Sequence, residues 1–547
     1  MPTTTQLSAV ELAHATAGDP QFRLPAHPSV VPGVVLHWSE DGLIVEGTGT
    51  RRTLSGRSAR QILPDLLPLL DGTRDLDRLA AALGRPAPQV RAVLLLLYSC
   101  GLLQEGVPRR TDPQSVLLAR LLDSTRVNAN ADEAQDRLTG APVALWGGGP
   151  FRDLLAERLD AMGMRTVRLD AAGFAAEETP ALAVLHVDPR SQADARALHR
   201  ALRRREVPVL LTGPDGDGFF IGPYSANDHG ACPECALAQI ASAVGESADS
   251  NAQSAAAMTA LEVLGLVARV GKPASLHGRT RIDLRVGQSE TRMLAPRPGC
   301  DLCGDPAVAL QDPPPAYAYE HSVAFPPRRL VNPRDHQVHF EPANLALQYD
   351  AKEYPDAETT DLGDPDLALL DGGAQPLSVE LLGTLLAAAF GLKQQPQDRR
   401  QKLLRFAPTG GNLGSPTAYL LVRDVPGLAP GGYAYQVIGH RLARVAELPP
   451  EYADMAEPAL LVVTGALVRV ARKYRTFAYR VIHLDTGVAL SHLLLASRRL
   501  GLPMMNEPAW DDAALTTALG VEREFECVTA VVRLGAAEGS HPGEGTR

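Results

Sequence analysis

Two Cys-x-x-Cys pairs, Cys232 with Cys235 in "CPEC" and Cys300 with Cys303 in "CDLC", stand on either side of a 64-residue interval, 236–299. If the pairs meet, they close that interval into a loop and fix two distant parts of the chain to one point. Four thiolates suit tetrahedral Zn²⁺, because soft sulfur ligands hold a d¹⁰ ion without geometric strain and each short turn presents two sulfurs together. Such a site has no open position, so it is expected to hold structure and to leave the chemistry elsewhere. Unrelated cysteines or a disulfide are the alternatives, and both suit this spacing less well in a chain without an export signal.

The chain has 547 residues, enough for about three to four domains at ~150 residues each. Hydrophobic residues make up 45% and charged residues 21%, as in ordinary globular proteins, while a net charge of −10 argues against nucleic-acid or anionic-membrane binding. The first residues, "MPTTTQLSAVELAHATAGDPQ", lack a basic and an apolar signal region, and the apolar run Ala92 to Leu103 is too short to span a bilayer. A cytoplasmic protein is expected. Cys100 and Cys527 lie in apolar stretches, where buried free thiols are commoner than nucleophiles.

Three short strand patterns between Val34 and Leu54 precede three helical patterns at Arg57–Leu70, Asp75–Leu83 and Pro88–Tyr98. On "LLPLLDGTRDLDRLAAAL" and "VRAVLLLLYSCGLLQEG" this stretch, residues 1–110, resembles the winged-helix-like precursor-peptide recognition element of ribosomal peptide biosynthesis. The resemblance implies that a leader peptide adds as a strand to an open sheet edge, which supplies backbone donors and acceptors. An ordinary winged helix that only supports its neighbour is the alternative, and the low Lys and Arg content of its last helix counts against DNA reading.

From Ala141 the patterns alternate: strand "PVALWGGG", helix "PFRDLLAERLDAMG", strand "RTVRLD", then "ALAVLHVD", "DARALHRALRRRE" and "VPVLLTG". This predicts an α/β domain over 111–310. Gly147, Gly148 and Gly149 stand where a phosphate would approach a helix N-terminus, and Asp170 stands about 20 residues on, where a ribose carboxylate belongs. Arg152 replaces the third glycine of that fingerprint. With "IGPYSANDHGACPEC" and the cysteine quartet, the segment resembles the Rossmann-like, E1-like (ThiF-type) fold of ubiquitin-activating and thiamine-pathway adenylating enzymes. Active members carry further acidic, Arg and Lys residues around ATP, which are not found after Asp170. The expectation is a degenerate scaffold of the kind associated with peptide cyclodehydratases.

A Pro-rich connector is expected at 311–336, a third domain at 337–535 and a disordered tail at 536–547. In the third domain "PLSVELLGTLLAAAFGL" reads as an amphipathic helix, "AYLLVRDV" with "GGYAYQVI" as a strand pair, and "ALLVVTGAL" and "CVTAVVRL" as buried strands. Asp485 or Thr486 is expected to cap a helix that Gly501 ends. The segment "RFAPTGGNLGSPTAY" is a backbone-exposing loop, suited to close approach by a planar anionic ligand, with Arg405 as its planar cation. His440, His483 and His492 lack ligand-spaced partners and are expected to be structural.

With "GLAPGGYAYQVIGHRLARV" and "ARKYRTFAYRVIHLDTGVALSHLLLASRRLGLP", this loop resembles the nitroreductase-like FMN oxidoreductases that oxidise azolines in thiazole/oxazole-modified peptides, over roughly Leu377 to Leu534. That resemblance implies an α+β fold, FMN at the interface of a homodimer, a precursor peptide (leader and core) as substrate and a YcaO-type cyclodehydratase as partner. It matches Thr409, Gly410, Gly411 and Asn412 to the flavin loop, with Arg405 and Arg480 also at the cofactor, and Lys473 and Tyr474 to the catalytic Lys-Tyr pair. Aromatising an azoline needs a base beside the flavin, and either residue could take the proton, an adjacent ammonium favouring the tyrosine phenolate. The expected protein is a multidomain α/β enzyme that oxidises thiazolines, less surely oxazolines, to azoles. The rivals are a noncatalytic leader-binding scaffold, an NAD(P)H-dependent nitro or quinone reductase, and an active adenylating enzyme.

Overall fold

In the computed structural model, the described residues are 23–40, 42–49, 51–170, 178–240, 251–304, 314–324, 346–365, 376–399 and 401–535, with a few isolated positions besides. The tail expected at 536–547 and parts of the 311–336 connector lie outside them. The described residues divide into two compact units, one within Ser8–Gln337 and one within Val338–Arg547.

In the first unit, strands β2 (Val35–Ser39), β3 (Gly42–Glu46) and β4 (Arg52–Leu54) form a three-stranded antiparallel sheet, while β1 (Pro28–Val30) pairs with β5 (Leu103–Glu105). The helices Arg57–Leu66, Leu76–Leu83 and Ala87–Ser99 follow where the 3.6-residue periodicity put them, close to the expected boundaries. Asp75 caps the second by accepting from Arg78 N–H, and Gly84 ends it at φ +60°. Hydrogen bonds from Arg120 Nε to Gly47 O (2.6 Å) and from Asn130 Nδ2 to Glu105 O (3.1 Å) tie this region to the α/β region that follows, within one unit.

The central sheet of that unit adds β6 (Val143–Trp146), β7 (Thr166–Arg168), β8 (Leu182–His186), β9 (Val209–Asp215), β10 (Gly218–Ser225), β11 (Gly278–Asp283) and β12 (Gln288–Met293), in the order β12-β11-β10-β9-β8-β6-β7. β7, β6, β8 and β9 are parallel, and β10 to β12 continue antiparallel. Alternation along the strands sends Val143 and Leu145 to a core with Phe151, Leu155 and Leu159, and Ala144 and Trp146 to another with Leu198 and Leu202. Apolar residues on both faces explain why these strands read as continuous hydrophobic runs. In the connector, Pro315–Ser322 forms a short helix with proline at its first position, where the missing N–H costs no bond.

The second unit is built on β13 (Thr359–Asp361), β14 (Pro416–Val422), β15 (Gly431–Gln436), β16 (Arg441–Ala446), β17 (Ala459–Gly465), β18 (Met504–Asn506) and β19 (Cys527–Leu534), an antiparallel sheet in the order β13-β16-β15-β14-β17-β19-β18. Ala418, Leu420, Leu461, Val463 and Val532 face the helices Val379–Phe390 and Ala478–Arg499, while Tyr419, Leu421, Val462 and Val531 face Leu515 and Leu519. Asp485 does not cap the long helix: that helix begins at Ala478, so Asp485 lies about two turns inside it. Among the described residues no helix is long and apolar enough to cross a membrane.

Candidate functional site

The cysteine quartet meets as its spacing requires. Ligand atoms of Cys232, Cys235, Cys300 and Cys303 all lie within 4.8 Å of one another, and no disulfide joins them. Cys232 Sγ is 3.7 Å from Cys300 Sγ, and Cys235 Sγ is 3.5 Å from Cys303 Sγ. Thiolates about 2.3 Å from a tetrahedral zinc stand about 3.8 Å apart, so the cage already has the ion's dimensions. Backbone N–H groups of Cys235 and Arg297 point at the Cys232 and Cys235 sulfurs, at 3.5 and 3.3 Å. The hydrogen bond to the Cys235 sulfur is the foremost cause holding the Cys232 thiol well above its ordinary value. Four such groups ionise together only around a cation. The quartet has the geometry of a structural zinc site.

In the second unit the glycine loop lies against the Ala478–Arg499 helix. Gly410 N–H donates to Asp485 Oδ1 at 2.7 Å, and Ser415 Oγ donates to Asp485 Oδ2. Thr409 Oγ1 accepts from Gly414 N–H (2.9 Å), and Asn412 Nδ2 donates to Leu403 O (2.7 Å) and Gln348 Oε1 (3.1 Å). Buried Arg469 donates to Leu413 O and Gly414 O, at 3.0 and 2.8 Å. Thr409 thus braces the loop from within, and Asn412 ties it to Leu403 and Gln348.

Gly411 has φ +58°, the left-handed region, and a Cβ there would collide with Lys473 Nζ and lie 2.9 Å from Tyr474 Oη. Lys473 Nζ is 5.2 Å from the Tyr474 ring centre. The pair thus stands over the bare backbone of the loop, at the C-terminal end of the Leu467–Tyr474 helix, which Arg475 breaks at φ +50°. Burial, then the charge of Asp485, pushes the Tyr474 phenol up. Both effects favour the protonated phenol and so work against the expected phenolate.

Arg405 enters the loop from the other side, where a Cβ on Gly414 would run into its guanidinium. Its Nε is buried without a partner among the described residues, and burial, with Arg469 nearby, lowers its pKa to about 10. A desolvated guanidinium with an unpartnered Nε beside open loop backbone fits an anionic, planar group such as FMN. Arg480 stands in the first turn of the long helix, its guanidinium 5.9 Å from the Phe477 ring centre. Of the three histidines, His440 Nδ1 pairs with Tyr435 Oη at 2.8 Å, and His483 and His492 contact backbone carbonyls.

Asp485, Ser415, Arg469 and Gln348 were not anticipated. Asp485 was findable: it falls on the buried face marked by Ala478, Val481, Ile482 and Ala489, and an acid on that face must be held by donors. Gln348 reaches the loop from far away in sequence, with no local pattern to announce it.

Residues 373–536 match the model of the nitroreductase family, so the chain is a multidomain α/β protein with a nitroreductase-like C-terminal region. A protein of Methanocaldococcus jannaschii named as a nitroreductase is 25% identical over 161 residues, covering 27% of this chain and 77% of its own. Two solved structures, both at a TM-score of 0.40, each cover 51% of this chain. A heterocyclase in complex with substrate and cofactor is 19% identical, with 40% of its length matched; E. coli MccB is 15% identical, with 99% matched.

Proposed function

We propose that the chain is an FMN-dependent dehydrogenase that oxidises thiazolines to azoles in a ribosomally made precursor peptide. The observation that carries this reading is the meeting of Lys473 and Tyr474 over Gly411, within a segment that matches the nitroreductase family. Aromatisation takes two hydrogens from the azoline ring, one as a proton and one as a hydride, and FMN, when bound, accepts the hydride. Arg405, Arg480 and the loop Thr409–Asn412 would hold that group, its anionic edge meeting the Arg405 guanidinium. Asp485 fixes the loop by binding Gly410 N–H.

The ring proton falls to the Lys-Tyr pair. Tyr474, kept as the phenol by burial, orients the ring and relays a proton through a hydrogen bond, and Lys473 stands beside it as the other candidate to take that proton. The three-stranded sheet, whose edge strand β2 exposes Val35 (59%) and Trp38 (43%), would hold the leader as an added strand. Tethering the leader raises the effective concentration of many core residues at one active site. The exposed Leu484 and Leu495 on the long helix suit pairing with a second copy. A YcaO-type cyclodehydratase would supply the azolines, and zinc would hold the scaffold.

Incubation of the protein with a thiazoline-bearing leader–core peptide under air tests the reading by mass spectrometry. The expected product has lost two hydrogens per ring, with O₂ as the final acceptor. Lys473→Ala and Tyr474→Phe should each keep FMN yet lose more than about tenfold in turnover, about 1.4 kcal/mol in barrier. Unchanged turnover in both would overturn the assignment of the pair. Rapid flavin reduction by NAD(P)H without peptide oxidation would instead indicate a nicotinamide-dependent reductase.

A further inference from the structure

A cavity of about 400 Å³ opens in the first unit at the carboxyl ends of the parallel strands, lined by Trp146 and Gly147 after β6 and by His186 and Asp188 after β8. The order β7-β6-β8-β9 puts the reversal of strand succession between β6 and β8, the position at which open α/β sheets take ligands. Trp146, Phe151, His186 and Phe219 give the wall ring surface, and the Phe151 and His186 rings stack at 4.0 Å and 17°. His186 Nδ1 is buried without a partner among the described residues. Desolvation pushes that imidazole down to about 4, so it is neutral at physiological pH. A Cβ on Gly148 or Gly149 would meet nothing within 4 Å, and the Gly149–Ala161 helix starts without a side-chain cap.

A glycine turn before a helix ordinarily suits phosphate, and the resemblance to adenylating enzymes would bring ATP here. The charges oppose it. Asp188 and Asp194 line the cavity, and no Lys or Arg does among the described residues. Arg152 is engaged with Asp153 (2.8 Å) and Gly147 O (3.2 Å), and exposed Asp170 is not part of the lining. Arg190 N–H and the N–H and Oγ of Ser191 donate to Asp188 Oδ1.

We propose that this cavity binds an uncharged heteroaromatic molecule of nucleoside size and rejects the corresponding triphosphate. Ring surface recognises the base, the carboxylates accept from hydroxyl or amino groups, and the same carboxylates repel phosphates. The inference does not depend on the flavin assignment.

Titration calorimetry of the full-length protein with the four ribonucleosides and their magnesium triphosphates tests it. At least one nucleoside should bind roughly tenfold or more tightly than its triphosphate. Gly148→Phe, at a backbone angle any residue adopts, should fold normally and weaken that binding by at least about tenfold, while Asp194→Lys should tighten triphosphate binding and so narrow the gap. Tighter binding of the triphosphates, or no nucleoside binding up to about 10 mM, would overturn the proposal. So would Asp194→Lys leaving the preference unchanged, a result that counts even if Gly148→Phe fails to fold.

Discussion

Asp485 concentrates the cost and the use of a buried acid. It accepts from Gly410 N–H and Ser415 Oγ, yet desolvation outweighs these bonds and its pKa is raised above 3.8. Because the folded state then holds a proton that the unfolded state releases, stability falls as pH rises from about 4 to the raised value and is flat above it. Asp485→Asn should abolish that slope while costing about 1–3 kcal/mol through poorer pairing with its two donors; thermal unfolding across pH checks both. Gly411→Ala should cost about 1–2 kcal/mol for the left-handed backbone. Its methyl must also displace Lys473 Nζ, so turnover should fall further than the melting temperature implies. The types of Lys473, Tyr474, Arg405 and the glycines were legible from sequence because each carries recognisable chemistry. The bonds that hold the loop were not: those of Thr409 and Asn412 to Gly414, Leu403 and Gln348 appear only once the chain has folded.

At the scale of elements, periodicity served wherever one period held throughout. The strand Cys527–Leu534 falls where "CVTAVVRL" placed it, and the N-terminal helices agree to within a few residues. The helix Ala478–Arg499 misled because Asp485 and Thr486 look like a cap, while Asp485 is held by the glycine loop and Thr486 by Ile482 O and Thr529, which lets the helix run through them. A true cap is Ser378, whose side chain accepts from Leu381 N–H at the start of the Val379–Phe390 helix. Ser378→Ala should cost about 1 kcal/mol, read as a lower melting temperature with an unchanged flavin spectrum. Strands β11 and β12 went unnoticed: β12 is exposed along its length and polar, so no hydrophobic alternation marks it.

At the scale of the whole molecule, two CxxC pairs announced a long loop closure and the structure closes it, which is the most secure link from sequence to architecture here. Cys300→Ser should abolish stoichiometric zinc, measured by elemental analysis. Zinc present at about a thousandfold above its Kd contributes about 4 kcal/mol, so the unit within Ser8–Gln337 should melt more than about 5 °C lower. FMN content should stay unchanged, because the flavin assignment rests on residues from 405 onward. The division into two units was only partly visible: composition marked the proline-rich connector, while the hydrogen bonds joining the first 110 residues to the α/β region are long-range and unpatterned. The most direct test of the central claim is the visible spectrum of the full-length protein as purified, with identification and quantitation of any released chromophore. One FMN per chain, lost or weakened at least about tenfold in Arg405→Gln, is the predicted result; a colourless protein that also fails to take up added FMN would contradict the account.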